Sequence, residues 1–337
     1  MLVSKKGELL INIIMNDYYS AITPKIIAEL LGDITVQGVY KALRKAEINI
    51  SETKTGRKKL LPKDVRKFLE LRGFKFPKLN ISFQIVKGGV GKTSLSFLLA
   101  TRASHYGAKV LIIDLDQQGN MTRSFHLKDR AFPVMLNIIR DKISMEESII
   151  KLSDSLHLLP SNLNNSKLDI QLTQESINLR DVLTDLLRPI RDNYDIIIFD
   201  CPPAINKINL AATCCSNLII IPVNPDPYAM DGLEFTLSEL KQVKKDFKLN
   251  FDKKIVWNRY DARERLGAIY MHELVRSADK VQDILPVVIR TDASIKSAVF
   301  FESDVFNSTK KSSIQEDADQ FCREILGLNK WKEDIIK

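Results

Sequence analysis

The 337-residue chain has only four cysteines, Cys201, Cys214, Cys215 and Cys322, and no two of them form a C-x-x-C pair. That excludes a disulfide-stapled scaffold and a structural zinc or iron–sulfur cluster held by one chain. The four histidines (His105, His126, His157 and His272) are scattered, with no metal-ligand spacing. No apolar run reaches the ~18 residues of a membrane span. Glu8 and Asp17 bracket the only early apolar run, which is not a signal-peptide layout, so a cytoplasmic protein is expected. Internal repeats and low-complexity tracts are absent as well. What is present is a 45% hydrophobic fraction, enough for a sizeable core and too much for global disorder. The length allows one large domain or two ordinary ones.

The charge is unevenly placed. Residues 1–80 hold 16 Lys and Arg against 8 Asp and Glu, so the whole net charge of +8 lies in the first quarter. The remainder is balanced. This asymmetry predicts a polyanion-binding module appended to an electrically neutral body. The boundary falls at Phe74-Lys-Phe-Pro-Lys-Leu-Asn80, just after the helix stop Arg72-Gly73. The expected division is therefore 1–78 and 79–337.

Within the first module, Thr23-Pro24 supplies a hydroxyl N-cap followed by proline at the first helical position. Gly32-Asp33 ends that helix, and a second begins near Thr35 with Val36, Val39, Tyr40 and Leu43 at helical spacing. Lys41, Arg44 and Lys45 fall on or beside its exposed side. Lys54-Thr-Gly-Arg-Lys-Lys59 reads as a basic β-hairpin, and Pro62–Arg72 as another helix. The pattern predicts a small α-helical winged helix-turn-helix, similar to the MerR-like kind. Recognition-helix residues would touch base edges, while the hairpin cations Arg57 and Lys58 would touch phosphate.

From residue 81 onward, strands and helices alternate. Strands are expected at 81–86, 109–115, 155–159, 194–200, 217–223, 253–258 and 284–289. Continuous β-branched runs such as Asp195-Ile-Ile-Ile-Phe-Asp200 point to a parallel sheet covered on both faces. The expectation is one doubly wound, mostly parallel α/β domain.

The segment Lys87-Gly-Gly-Val-Gly-Lys-Thr-Ser94 stands between a predicted strand and a predicted helix, which is the setting a P-loop requires. Phosphate oxygens need many N–H donors at close range. Glycines let the backbone approach, and the following helix offers free N–H groups and its positive end. Gly88, Gly89, Val90, Gly91, Lys92, Thr93 and Ser94 would cradle the phosphates. Lys92 would add a fixed charge and Thr93 a hydroxyl for Mg²⁺.

The loop begins with a second lysine, Lys87. This resembles the deviant Walker A motif of the family that includes ParA, MinD and the nitrogenase iron protein. Val110-Leu-Ile-Ile-Asp-Leu-Asp-Gln-Gln-Gly-Asn120 resembles that family's second motif, and Tyr194–Pro203 its Walker B strand. Trp257-Asn-Arg-Tyr-Asp261 stands where the base-recognition strand usually ends. Gln118-Gly119-Asn120 is ParA-like, and the large plasmid-type ParA proteins also carry an N-terminal helix-turn-helix. The chain departs from the family at Ile85-Val86, where Asn-Gln is usual, at Gln117, where proline is usual, and at the variable Cys201. None of these removes a group that contacts phosphate or metal.

The resemblance implies an ATP- and Mg²⁺-dependent ATPase. Lys92 would hold the β- and γ-phosphates, and Lys87 would cross a homodimer interface to the partner's nucleotide. Asp116 would position the attacking water, Asp114 would stand near the metal's outer shell, Asp200 would hold Mg²⁺ through water, and Asn258 would read the base. It also implies nonspecific DNA binding by the ATP dimer, with Arg290 and Lys296 as candidate contacts. The implied activity is DNA partitioning with a ParB-type centromere-binding partner and operon autorepression through the N-terminal module. The expected location is cytoplasmic and nucleoid-associated, with no membrane contact. The tail residues Phe321, Ile325, Leu328, Trp331 and Ile335 are expected to dock on the body rather than on lipid. The alternatives are a nucleotide-switched transcriptional regulator and a MinD-like spatial regulator.

Overall fold

An eight-stranded sheet organises the body, in the order β10-β9-β8-β3-β7-β4-β6-β5. The structure is a computed structural model and describes residues 22–52, 56, 58–127, 131–261, 263–276, 281–292, 305–307 and 312–336. The strands are β3 (Leu79–Phe83), β4 (Val110–Asp114), β5 (Ile150–Lys151), β6 (Leu156–Leu159), β7 (Ile196–Asp200), β8 (Leu218–Val223), β9 (Asp252–Tyr260) and β10 (Ile284–Arg290). Each of the seven expected strands is present, and these pair in parallel. The two-residue edge strand β5, antiparallel to β6, was not anticipated. It is too short to show an alternating pattern.

The unbroken apolar runs have a simple cause. On β7, Ile196 and Ile198 join one core while Ile197 and Phe199 join the core on the opposite face. Both faces are covered, so residues 196–199 are all apolar and the first polar side chain, Asp200, stands at the strand's end. Each such side chain contributes roughly 1.5–3 kcal/mol on burial. β3 ends at Phe83, earlier than the expected Val86. The Gln84 side chain turns onto Ser82 and Thr213 (3.0 and 2.9 Å), and the backbone leaves the sheet for the glycine loop.

The N-terminal elements are helix α1 (Pro24–Leu31), helix α2 (Val36–Lys45), the antiparallel pair β1 (Ser51–Glu52) and β2 (Lys58–Lys59), and helix α3 (Pro62–Leu71). Thr23 and Thr35 cap α1 and α2, their hydroxyls accepting from Ile26 N (3.3 Å) and Gly38 N (3.1 Å). Gly32 closes α1 in the left-handed region at φ +75°. Arg57 lies outside the described residues.

These elements pack on the body through one continuous core that runs from Ile27 and Leu43 to Phe83 and Leu95. The helix after the glycine loop, α4 (Lys92–His105), is buried almost all round. Further helices are α5 (Lys207–Cys215), α6 (Pro227–Asp246), α7 (Arg265–Arg276), α8 (Ser313–Leu326) and α9 (Leu328–Ile336). α8 covers α4, with Arg102 and Arg323 of the two helices sharing Asp319 (2.5 and 2.6 Å). The tail docks as expected. Phe321 and Leu328 are fully buried, and Trp331 packs edge-on to Phe74 at 5.3 Å.

Arg66 on α3 fixes the junction. Its guanidinium donates to Gly107 O (3.0 Å) and to the Asp195 carboxylate (2.5 Å) at the foot of β7. A Cβ on Gly107, at φ +94°, would fall 2.5 Å from Pro62 O, so the close approach of α3 requires glycine there. Burial pushes the Asp195 carboxyl up. The Arg66 and Lys109 N–H donors and the charges of Arg66 and Lys78 outweigh it and hold the group below its usual range. Arg66→Ala leaves this buried carboxylate short of a donor and should lower stability by about 1–3 kcal/mol in urea unfolding. Because the folded pKa is depressed, the ion pair stabilises above about pH 4 and is lost as pH falls through the folded value. The gap between wild type and variant should therefore shrink in acid.

Candidate nucleotide-binding site

The glycine loop leaves the centre of the sheet, after β3, with β7 and β4 on one side and β8 and β9 on the other. Gly89 and Gly91 adopt positive φ, +74° and +93°. At Gly91 a side chain would also collide with Asn258, since a Cβ would sit 2.2 Å from its amide nitrogen. The loop borders a cavity of about 810 Å³, to which Gly89, Gly91, Lys92, Thr93, Ser94 and Asp116 contribute.

Lys92 Nζ donates to the carbonyls of Ile85 and Lys87, both at 3.3 Å. Burial lowers its pKa, and the nearby Asp200, Cys201 and Asp116 work against that shift. The amine is poised where phosphate oxygens would replace two carbonyls.

Asp114 and Asp200 are register partners at the ends of neighbouring strands. Both are fully buried. Asp114 is taken up by its own loop, accepting from Thr122 N (2.9 Å), Thr122 Oγ1 (2.7 Å) and Asp116 N (3.2 Å). Asp200 accepts from Ser96 Oγ at 3.1 Å with the Thr93 hydroxyl nearby, while its Oδ2 has no partner. Burial raises the Asp200 pKa to about 6, with Asp116 adding to the shift and Thr93, Ser96 and Lys92 opposing it. Asp114 is pushed well above the carboxylate range, first by burial and then by Asp200.

An orphaned, buried carboxylate oxygen beside a threonine hydroxyl is a hard-oxygen donor set that fits Mg²⁺. Thr93 and Asp200 would hold the ion, which when bound neutralises charge on the terminal phosphates. Asp116 faces the same cavity, its Oδ1 accepting from Gln118 N at 2.9 Å. Among the described residues no cluster of three or more His, Cys, Asp or Glu side chains could hold a metal.

The other expected site residues are dispersed. Asn258 is buried, but its Nδ2 donates to Val90 O at 2.7 Å. Its amide nitrogen therefore props the glycine loop from the end of the sheet where a base contact is expected. Lys87 pairs with Asp226 of its own chain, with the Tyr228 ring centroid 5.7 Å away. Lys41, Arg44 and Lys45 are exposed together on α2. Lys58 pairs with Glu52 across the hairpin. Arg290 is clamped by Asp317 (2.6 Å) and Glu316 (3.3 Å), so its charge is already matched within the chain. Lys296 lies outside the described residues.

Sequence reasoning passed over Ser96, Arg123, Asp226 and Arg259. Ser96 could have been found as the residue one turn after Lys92 on the helix. Arg123 and Asp226 lie outside the motifs, Arg259 stands inside Trp257–Asp261 with no role attached to it, and only folding brings the three to the site.

A parallel sheet with a phosphate loop at its centre, buried acids on the neighbouring strand ends and an amine between them defines a P-loop ATPase. The AAA domain family matches residues 79–253. The cell division protein PomZ of Myxococcus xanthus is 30% identical over 246 residues, covering 71% of this chain and 75% of PomZ. The sporulation initiation inhibitor protein Soj of Bacillus subtilis is 31% identical over 212 residues, 60% of this chain and 82% of Soj. The structure of a Cyanothece McdA variant in complex with ATP shares the fold, with a TM-score of 0.65 and 22% identity over 74% of this chain and 97% of that one. The chain belongs to the ParA-type partitioning ATPases.

A protonated Asp200 cannot serve a cation, so raising the pH through about 6 should strengthen Mg²⁺ binding. Titrating Mg²⁺ between pH 5 and pH 8 in the presence of nucleotide should show affinity rising through that value. Asp200→Asn should bind weakly and keep only the shallower pH dependence that the nucleotide's own terminal phosphate brings.

Proposed function

We propose that this chain is a DNA-partitioning ATPase that uses ATP and Mg²⁺. ATP drives homodimerisation, the dimer binds DNA without sequence preference, and a ParB-type centromere-binding partner stimulates slow hydrolysis. The observation that carries the reading is the pairing of a lysine-led glycine loop with buried Asp114 and Asp200, in a chain 30% identical to PomZ. Phosphoryl transfer needs charge neutralisation and an aligned water more than covalent chemistry, and Lys92, Thr93, Asp200 and Asp116 are the groups for that task. No helix among the described residues is long and apolar enough to cross a membrane.

The N-terminal elements serve as a winged helix-turn-helix that binds operator DNA. The exposed Lys41, Arg44 and Lys45 of α2 enter or border the major groove, and Lys58 with its neighbour Arg57 reaches phosphate. Autorepression of the operon follows from that binding. The Arg66–Asp195 contact ties this module to β7, the strand that ends in Asp200, which favours operator binding that responds to nucleotide.

The test is ATP hydrolysis with nonspecific duplex DNA. Wild type should turn over slowly and be stimulated by DNA. Asp116→Ala should keep ATP-dependent DNA binding without turnover, and Lys92→Gln should lose both. A wild type that binds its operator yet hydrolyses no ATP, even with a centromere-binding partner present, would refute the partitioning reading in favour of a nucleotide-switched regulator.

A further inference from the structure

Two arginines with no role assigned so far line the nucleotide cavity, Arg123 and Arg259. They come from opposite flanks of the glycine loop: Arg123 follows β4, and Arg259 lies near the end of β9. Among the described residues neither side chain forms a hydrogen bond or an ion pair. An unpaired cation on an open surface is ordinary. These two stand on the wall of a cavity that also holds Asp116 and Asp169. Those acids are engaged elsewhere, Asp116 with Gln118 N and Asp169 with the Lys207 and Ile208 N–H groups.

Arg123 is on the flank where the reaction takes place. It ends a short helical turn, Asn120–Arg123, that grows out of the Asp114–Asp116 loop. That turn is fixed from three sides. Thr122 donates through N and Oγ1 to Asp114, and Ser161 N donates to Thr122 Oγ1 at 2.8 Å. Gly119, at φ +61°, lies so close to the Ser161 carbonyl that a Cβ would sit 2.9 Å from its oxygen. The base of the side chain thus springs from an anchored turn that lines the same cavity as Asp116, while the guanidinium has no partner among the described residues. A planar fork of N–H donors on a fixed stem is suited to a phosphate with two oxygens exposed.

We propose that Arg123 binds the terminal phosphate of ATP in cis and stabilises the charge that develops there during hydrolysis. The water oxygen bonds to the γ-phosphorus as the bridging P–O bond breaks, and that electron pair remains on the β-phosphate of ADP. The water gives up a proton to Asp116, which releases it to solvent, so the products are ADP, inorganic phosphate and a proton. Arg123 accepts no proton. Its role is to hold the equatorial oxygens, over which the charge is spread in the transition state.

The proposal rests on the ATPase assignment alone. Its test contains neither DNA nor partner protein, so failure of the partitioning reading would leave it standing. Binding of a nonhydrolysable ATP analogue and of ADP, each with Mg²⁺, is measured by calorimetry on the full chain for wild type, Arg123→Ala and Arg123→Lys. Arg123→Ala should bind the triphosphate analogue at least tenfold more weakly and ADP within twofold of wild type. Arg123→Lys, which keeps the charge but not the fork, should fall between. Single-turnover hydrolysis should slow at least tenfold in Arg123→Ala at saturating ATP. Equal weakening of both nucleotides, or no change in either, would overturn the proposal. Thermal melting identifies a variant that fails to fold, and in that event the ATP-to-ADP selectivity of Arg123→Lys decides.

Discussion

Parallel pairing of β4 and β7 puts the carboxyls of Asp114 and Asp200 next to each other, both fully buried. Two negative charges so placed cannot both persist without compensation. The site is arranged around that constraint. Asp114 is given three donors from its own loop, which fixes the path of Asp116 through Thr122. Asp200 is given the Ser96 hydroxyl as donor, with Thr93 nearby, and is left with one bare oxygen. The strand register that builds the sheet therefore also builds a receptor for positive charge. A proton can occupy it in the free protein, and a divalent cation suits it when nucleotide is bound.

The free chain also turns its cations on itself. Lys92 leans on two carbonyls and Lys87 on Asp226. Charged-group hydrogen bonds of this kind are individually worth about 1.5–3 kcal/mol. Triphosphate must offer more than these internal partners do, and a ligand with fewer phosphates offers less. Asn258 acts alongside them, since it holds the loop by Val90 O and obliges residue 91 to be glycine.

The N-terminal module and the ATPase body differ in charge and share a core. The sequence break at residues 74–80 is a change of composition, yet Phe74 packs on Trp331 and Arg66 reaches across to Asp195. Composition records which surface each part shows to solvent. It carries no information on which apolar faces meet, because a buried phenylalanine looks the same in one core as in two.

Much of the architecture was legible along the chain because its signals are local. The β-branched runs, the Thr caps before α1 and α2 and the glycine loop between strand and helix all declare themselves within a few residues. So do the acids Asp114, Asp116 and Asp200, which stand at or just past the ends of apolar strands. Other features depend on residues far apart in sequence. Asn258 shows only as a polar residue near the end of a strand, while its partner Val90 lies 168 residues away. Arg290 shows only as a cation until Asp317 is brought beside it. The sequence by itself determined the strands, the helix starts and the phosphate chemistry, since these follow from periodicity, capping and glycine conformational freedom. Only the tertiary structure decided which acid keeps a bare oxygen, which cations stay unpaired and where the N-terminal module docks. Those outcomes depend on burial and on charge neighbours, which exist only once the chain has closed on itself.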